Sequence, residues 1–268
     1  MMKKLMDKIL KFVIYRLPVI AFFLRRVRDK INNSRKPTQT EFGFLLKGNK
    51  MMEAGNFEVE ETRLIRKLIC KIDVFINIGA NIGYYCCFAL HSEKKTIAFE
   101  PLPENLKFLY QNIEFNRWGS RIEIHPVALS ERIGITKLYG MGTGASLIEG
   151  WAGNSKYYYH NVPVNTLDNI ISNRFLEDNI LIMIDVEGAE YGVLKGAINL
   201  IKREKRPIWF IEISIAEHQP VGRKINSDLL DTFELFWNSG YRSVVADSSL
   251  REINYSDIKK IVDNQEDT

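Results

Sequence analysis

The 268-residue chain has only three cysteines and four histidines. Cys86 and Cys87 are neighbours and Cys70 stands apart, which gives neither a disulfide framework nor a metal-ligand spacing. The three read as reduced thiols of a cytoplasmic protein. Long apolar runs are also missing. The charge-free window from Leu17 to Leu24 is eight residues long, far below the roughly 20 needed to cross a bilayer. No small-residue cleavage site follows it, which argues against a secretory signal. A basic excess is absent from most of the chain. Residues 1 to 36 carry eleven Lys/Arg against Asp7 and Asp29, a net +9, while the remainder carries 26 basic and 31 acidic residues, a net −5. A nucleic-acid footprint on the globular body is therefore excluded as the leading reading. There is no internal repeat, no low-complexity tract and no G-x-G-x-x-G phosphate fingerprint.

What is present allows one large α/β domain with an extension, since 46% of the residues are hydrophobic. Ile9, Val13, Leu17, Ile20, Leu24, Val27 and Ile31 recur every three or four residues among Lys and Arg. This pattern predicts a basic amphipathic helix over 1–36, which either lies on the inner face of an anionic membrane or packs on protein. A linker and irregular lead-in is expected over 37–56, the main domain over 57–263 and a polar tail over 264–268.

The centre of the domain is Asp73-Val-Phe-Ile-Asn-Ile-Gly-Ala-Asn-Ile-Gly83, read as a buried parallel strand, a side-chain-poor turn and the entry to a helix. Gly79 and Gly83 bare the turn's backbone, and the helix start offers unpaired N–H groups. The next strand, Thr96 to Phe99, ends in Glu100, placed to take both hydroxyls of an adenosine ribose. Asn81 would crowd a pyrophosphate, so a nucleoside without phosphates fits, and S-adenosylmethionine (SAM) is the natural candidate.

Further helices are expected over Glu58–Cys70, Pro103–Phe115 and Leu229–Trp237, and a third strand over Ile122–Ala128. Thr136–Tyr139 is expected as an edge strand, Gly140–Gly153 as a long loop and Val162–Val164 as a short strand. Tyr157, Tyr158, Tyr159 and His160 read either as an acceptor-site lining or as a packed aromatic cluster. Another buried strand, Ile180 to Ile184, runs into Asp185 and Glu187, which share one side of an extended backbone at the carboxyl edge. Pro207 to Ile213 brings Glu212 toward the same edge, with Glu217 and His218 beyond. Tyr241–Ala246 and Arg251–Ile253 are expected to finish the sheet as a hairpin.

In order, Ile78-Gly-Ala-Asn-Ile-Gly-Tyr-Tyr85, Ala98-Phe-Glu-Pro101 with Glu104-Asn105, Val127-Ala-Leu-Ser130, Thr166-Leu-Asp168, Ile184-Asp-Val-Glu-Gly-Ala-Glu190, Arg206-Pro207 with Ile211-Glu212, and Gly240-Tyr241 resemble the FkbM-type family of SAM-dependent methyltransferases. The resemblance covers about Phe57 to Ala246. It implies a class I SAM-methyltransferase (Rossmann-like) doubly wound sheet, mostly parallel with an antiparallel last strand, and methyl transfer to oxygen atoms of polyketides and sugars. Carried onto this chain, Gly79, Ala80, Asn81 and Gly83 form the turn around the methionine part of SAM, Glu100 holds the ribose and Ala128 lies beside the adenine. Asn77 stands where the family commonly has Asp, which either weakens SAM binding or leaves the charge facing the methionine ammonium to Asp185, Glu187 or Glu58. Met183 stands where the family usually has Lys.

Asp185 is the first candidate to orient or deprotonate an acceptor hydroxyl, followed by Glu187 and then His218. The alternative for Asp185 and Glu187 is capping of the following helix. A divalent cation on Asp185, Glu187 and Glu212 is chemically open. The expected activity is O-methylation of a sugar hydroxyl in a cell-surface glycan or glycoconjugate, with a polyketide or other small-molecule hydroxyl as the alternative acceptor. A nicotinamide-dependent oxidoreductase and a non-catalytic, membrane-recruited scaffold are the rival classes.

Overall fold

The computed structural model describes residues 35–265. The helix expected over 1–36 lies outside these residues, except for Arg35 and Lys36. A hairpin of β1 (Thr38–Gln39) and β2 (Leu45–Leu46), then one helical turn, α1 (Lys50–Glu53), lead into α2 (Val59–Ile69). Next come β3 (Val74–Ile78), α3 (Tyr84–His91), β4 (Lys95–Phe99), α4 (Pro103–Phe115) and β5 (Ile122–His125). A small sheet follows, made of β6 (Ala128–Leu129), β7 (Gly134–Tyr139) and β8 (Tyr159–Asn165). The chain continues through α5 (Leu167–Ile171), β9 (Ile180–Ile184), α6 (Glu190–Lys195), α7 (Ile198–Ile201) and β10 (Ile208–Ile211). It closes with α8 (Leu229–Trp237), β11 (Ser243–Val244), β12 (Glu252–Ile253) and α9 (Tyr255–Asn264).

The central sheet has the order β10-β9-β3-β4-β5, and every pairing in it is parallel. Parallel strands covered on both faces need apolar residues at every position, and all five residues of β3 and of β9 are buried. Alternation then divides them. Phe75, Leu181, Met183 and Phe210 join the cluster that includes Ile65, Cys86 and Leu109. Val74, Ile76, Ile78, Ile180, Ile182 and Ile184 join Leu167, Val193, Leu200 and Phe236 on the other face. Fully burying such side chains contributes about 1.5–3 kcal/mol each. Strand order reverses between β3 and β9, so the carboxyl ends of β3, β4, β9 and β10 converge on the place where α/β folds bind ligands.

The α/β class and the mostly parallel central sheet are as expected, with differences in detail. The third strand stops at His125 because Pro126 has no N–H to continue the ladder, and Ala128–Leu129 pairs with β8 instead. The strand expected over Val162–Val164 is longer and pairs antiparallel with β7 from Gly134 to Tyr139. Pro163 is tolerated there because β6 reaches only Val164 and Asn165. The antiparallel end of the chain does not extend the central sheet: β11 and β12 pair only with each other, beside β10. Residues Tyr255–Asn264 are helical up to the start of the expected tail, with a capping box between Asn254 and Asp257. The lead-in is tied to the domain. The buried Asn112 side chain accepts from Lys47 N–H and donates to the carbonyls of Lys47 and Ile82, and Phe44 and Leu46 lie in the core.

Candidate functional site

The turn after β3 is built by close approach of backbones. Gly79 and Ala80 both donate their N–H groups to the Phe99 carbonyl at 2.9 Å. Gly79 has φ +82, and a Cβ on it would lie 1.9 Å from the Asp185 carbonyl oxygen. Asn81 also takes a left-handed φ of 51, which Asn tolerates better than most residues. Gly83, at φ +85, lets α3 pack against Leu109, whose Cδ1 would stand 2.4 Å from an added Cβ. The turn is therefore bare where β9 and α4 cross it.

Asn81 presents its N–H to Glu100 Oε2 at 2.8 Å, and Leu102 presents its N–H to Glu100 Oε1 at 2.8 Å. Burial pushes the Glu100 carboxyl up to about 7, against the opposite pull of these two amides and of Asn105. A carboxylate has about four acceptor positions, so further donors can still be met from the cavity side. Gly79, Asn81, Glu100, Ala128 and Asp185 all line one crevice, with Phe99, Val127 and Leu129 as its apolar wall. The opposite wall is the loop after β7, through Gly142, Thr143, Ala145 and Leu147. The cavity volume is about 60 Å³, whereas pockets for small ligands run to about 300–1,000 Å³.

Three of the expected cofactor residues lie away from the crevice lining. Ala80 is buried in the core. Asn77 is buried too, its Nδ2 donating to Cys86 Sγ at 3.5 Å. Gly83 caps α3 and does not line the crevice.

A group of carboxylates forms the rim where β9 and β10 end. Asp185 donates its N–H to the Ile78 carbonyl at 3.0 Å, and Glu212 donates its own to the Ile184 carbonyl at 3.0 Å. Burial, then Glu212, Glu187, Glu58 and Glu190 in turn, hold the Asp185 carboxyl well above the usual range. Glu187, at a left-handed φ of 55, accepts Trp151 Nε1–H on Oε2 at 2.8 Å and Ser146 Oγ–H on its carbonyl at 2.6 Å. His218 is solvent-exposed, with Nδ1 3.8 Å from Glu187 Oε2 and its carbonyl accepting from Ala152 N–H at 2.7 Å. Asp185, Glu187 and His218 are thus neighbours, with Glu187 between strand end and loop. Among the described residues, no three His, Cys, Asp or Glu side chains converge closely enough to hold a metal ion.

Three further residues shape the site: Trp151, which has no sequence signal of its own, Glu58, expected only as an alternative charge, and Glu190, expected only as the last residue of a motif. Trp151, almost fully buried, packs on Gly188, where an added Cβ would come within 2.3 Å of its ring. Glu58 accepts Tyr85 Oη–H at 2.7 Å, and burial first, with Glu212 and Glu61 next among the groups that push the same way, brings it up to about 7. Glu190 is buried and accepts Gly188 N–H at 2.9 Å, and burial raises it to about 7 as well.

These shifts fix a pH dependence. Glu58, Glu100 and Glu190 hold a proton more tightly folded than unfolded, so their contribution is complete below about pH 4.5 and is lost as pH rises toward about 7. Glu53 works the other way: burial would raise it, but Arg35, Gly48 N–H and Thr38 outweigh that and hold it low, a contribution lost in acid. The thermal midpoint is expected to peak near about pH 5 and fall toward about pH 8, with a shallower fall in Glu190→Gln. A midpoint that climbs between those two pH values would contradict this accounting.

No curated protein matches the chain. Among solved structures, the methyltransferase FkbM from Methylobacillus flagellatus KT is 22% identical with a TM-score of 0.43, over 62% of this chain and 37% of that one. The SAH-bound Podospora anserina methyltransferase PaMTH1 is 12% identical with a TM-score of 0.33, over 55% and 48%. Human N-acetylserotonin methyltransferase in complex with SAM is 10% identical with a TM-score of 0.31, over 72% and 48%. The chain thus spans less than half the length of each of these structures. A family model, the methyltransferase FkbM domain, matches residues 77–243, from the strand before the glycine turn to the strand after α8. That match takes in more than half of the chain and every residue of the crevice described above, and the protein belongs to the methyltransferase FkbM domain family.

Proposed function

We propose that the protein is a SAM-dependent O-methyltransferase whose acceptor is a hydroxyl of a sugar in a cell-surface glycan or glycoconjugate. The observation that carries the reading is Glu100. Its carboxylate is buried at the end of the second strand of the parallel set, fixed by two amides and facing the crevice with acceptor capacity to spare. The donor set suits a nucleoside: a carboxylate for ribose hydroxyls, Phe99, Val127, Ala128 and Leu129 for an apolar base, and a bare turn at Gly79 and Asn81 for the remainder. The present cavity volume is too small for that ligand, so the Gly142–Leu147 wall has to move outward for it to enter.

When bound, SAM supplies an electrophilic methyl on a sulfonium. The residues of the chain then have two tasks, to place the acceptor oxygen and to take its proton. Asp185 is at the crevice edge with its carboxyl affinity for protons raised, which suits it to receive the hydroxyl proton. Glu187 is held by Trp151 and Ser146 and shapes the rim, and His218 lies outside it. The rim carboxylates of Glu58, Asp185, Glu187 and Glu212 offer many acceptors to a polyhydroxylated ring, which favours a sugar. We place the enzyme in the cytoplasm, on the inner face of the membrane through the basic segment 1–36. Among the described residues no helix is long and apolar enough to cross a membrane.

Titration calorimetry with SAM tests the assignment. Glu100→Ala is expected to weaken binding about 10²-fold, since hydrogen bonds to charged groups are worth about 1.5–3 kcal/mol each. Removing the carboxylate also orphans two amides, so Glu100→Gln, which keeps one acceptor, serves as the folded comparison and should weaken binding less. Binding by Glu100→Gln and Glu100→Ala as tight as by the unaltered protein would remove the cofactor assignment.

A further inference from the structure

β10 ends the central sheet, and its outer side does not join the β11–β12 hairpin. Between them, floored by α8 and α9, runs a groove with a cavity volume of about 1170 Å³. Ile208, Phe210, Phe233, Val244, Leu250 and Ile261 give it an apolar lining. Its mouth is only partly closed, for Ile208 is 42% exposed, Val244 46% and Leu250 51%. The charges on the lining are Arg206, Arg242, Arg251 and Lys260, against Asp257 alone. Arg251 lies 3.7 Å from Asp257, leaving Arg206, Arg242 and Lys260 to set the sign of the rim.

We propose that this groove binds a lipid with a phosphate head, its acyl chain in the apolar trough and its phosphate among Arg206, Arg242 and Lys260. A concave, mostly apolar groove of this volume with exposed aliphatic lips has the form of a site for an apolar ligand. Cationic side chains beside aliphatic ones are the combination that holds proteins on anionic lipid. Segment 1–36 carries the same sign of charge, +9, so both features select the same kind of surface. A peptide strand added to β10 is the weaker occupant, because the strand is four residues long and Pro207 just before it has no N–H to share.

Trp209 lies in the lining, its Nε1 donating to Tyr241 Oη at 3.2 Å, and provides the probe. A lysophosphatidic acid with a brominated chain, added to the full chain below its micellar concentration, is expected to quench tryptophan fluorescence saturably. Trp209→Phe should lose most of that signal. A monoacylglycerol with the same brominated chain should bind about tenfold more weakly or worse. Arg242→Glu with Lys260→Glu should bring the lysophosphatidate down to the level of the uncharged lipid, and Val244→Asp with Leu250→Asp should abolish quenching by either. These four side chains are exposed, so the variants keep the fold, and their SAM affinity should be unaltered, separating this site from the crevice. Equal quenching by charged and uncharged lipid, quenching indifferent to all four substitutions, or saturable uptake of an acidic strand-forming peptide with no lipid quenching would each overturn the proposal.

Discussion

Gly79→Ala is expected to lower the thermal midpoint by about 10 °C or more, a loss of roughly 3–5 kcal/mol. The added methyl has nowhere to go. It would stand 1.9 Å from the Asp185 carbonyl oxygen, and that atom is backbone, so relief requires the turns after β3 and β9 to move apart. The φ of +82 adds the ordinary left-handed penalty of about 1–2 kcal/mol for a residue with a Cβ. Total stability of a domain this size is about 5–15 kcal/mol, so the loss is a large share of it. Gly83→Ala is the instructive partner. Its clash is with Leu109 Cδ1, the end of a side chain that can rotate, and the midpoint should fall by less. Gly119→Ala, with nothing within 4 Å, should leave the midpoint within about 2 °C of the unaltered protein. A Gly79→Ala protein as stable as Gly119→Ala would mean that the two turns are not in contact in solution.

Asp185→Asn should cost turnover rather than binding: a decrease in kcat of about 10²–10⁴-fold with SAM affinity within about threefold. The amide has nearly the same shape and keeps an acceptor oxygen, but it cannot accept a proton from the acceptor hydroxyl. Because the Asp185 carboxyl is held well above its usual range, chiefly by burial and then by Glu212 and Glu187, the unaltered enzyme should gain activity as pH rises through the titration of this group. That rising limb should vanish from the residual activity of Asp185→Asn. Glu187→Gln distinguishes the two carboxylates. Gln keeps an acceptor for Trp151 Nε1–H, so a residue whose task is to hold the loop should tolerate the change within about tenfold. If Glu187→Gln were the more damaging of the two, the proton would belong to Glu187 and the roles would be reversed.

The parts of the fold that could be read from the sequence are those governed by short-range rules. β3 and β9 announce themselves as unbroken apolar runs because both faces are covered. The bounds of α4 and α8 follow from Pro103 and from the residues before Gly240. Pro126 was a sufficient reason to end β5, yet the apolar Val127-Ala-Leu129 looks like a continuation until its partner β8 is known. The helix α9 is signalled by Asn254 and Asp257 and by Ile258 and Ile261, a pattern easily passed over in a polar setting. At the site, the strand-end rule places Glu100, Asp185 and Glu212 correctly along the carboxyl edge. It also places Asn77 in β3, but the alternation of a buried strand sets its side chain against Cys86, away from the crevice. No local rule pairs Trp151 with Glu187, 36 residues later, or Glu58 with Tyr85, 27 residues later. Such pairs exist only once the sheet has brought the segments together.

The ties of Ser146 and Trp151 to Glu187 have a mechanical consequence. The strap that walls the crevice through Gly142–Leu147 hangs from the end of β9 at two points, so an outward swing of the strap pulls on Glu187 and on the indole that seats it.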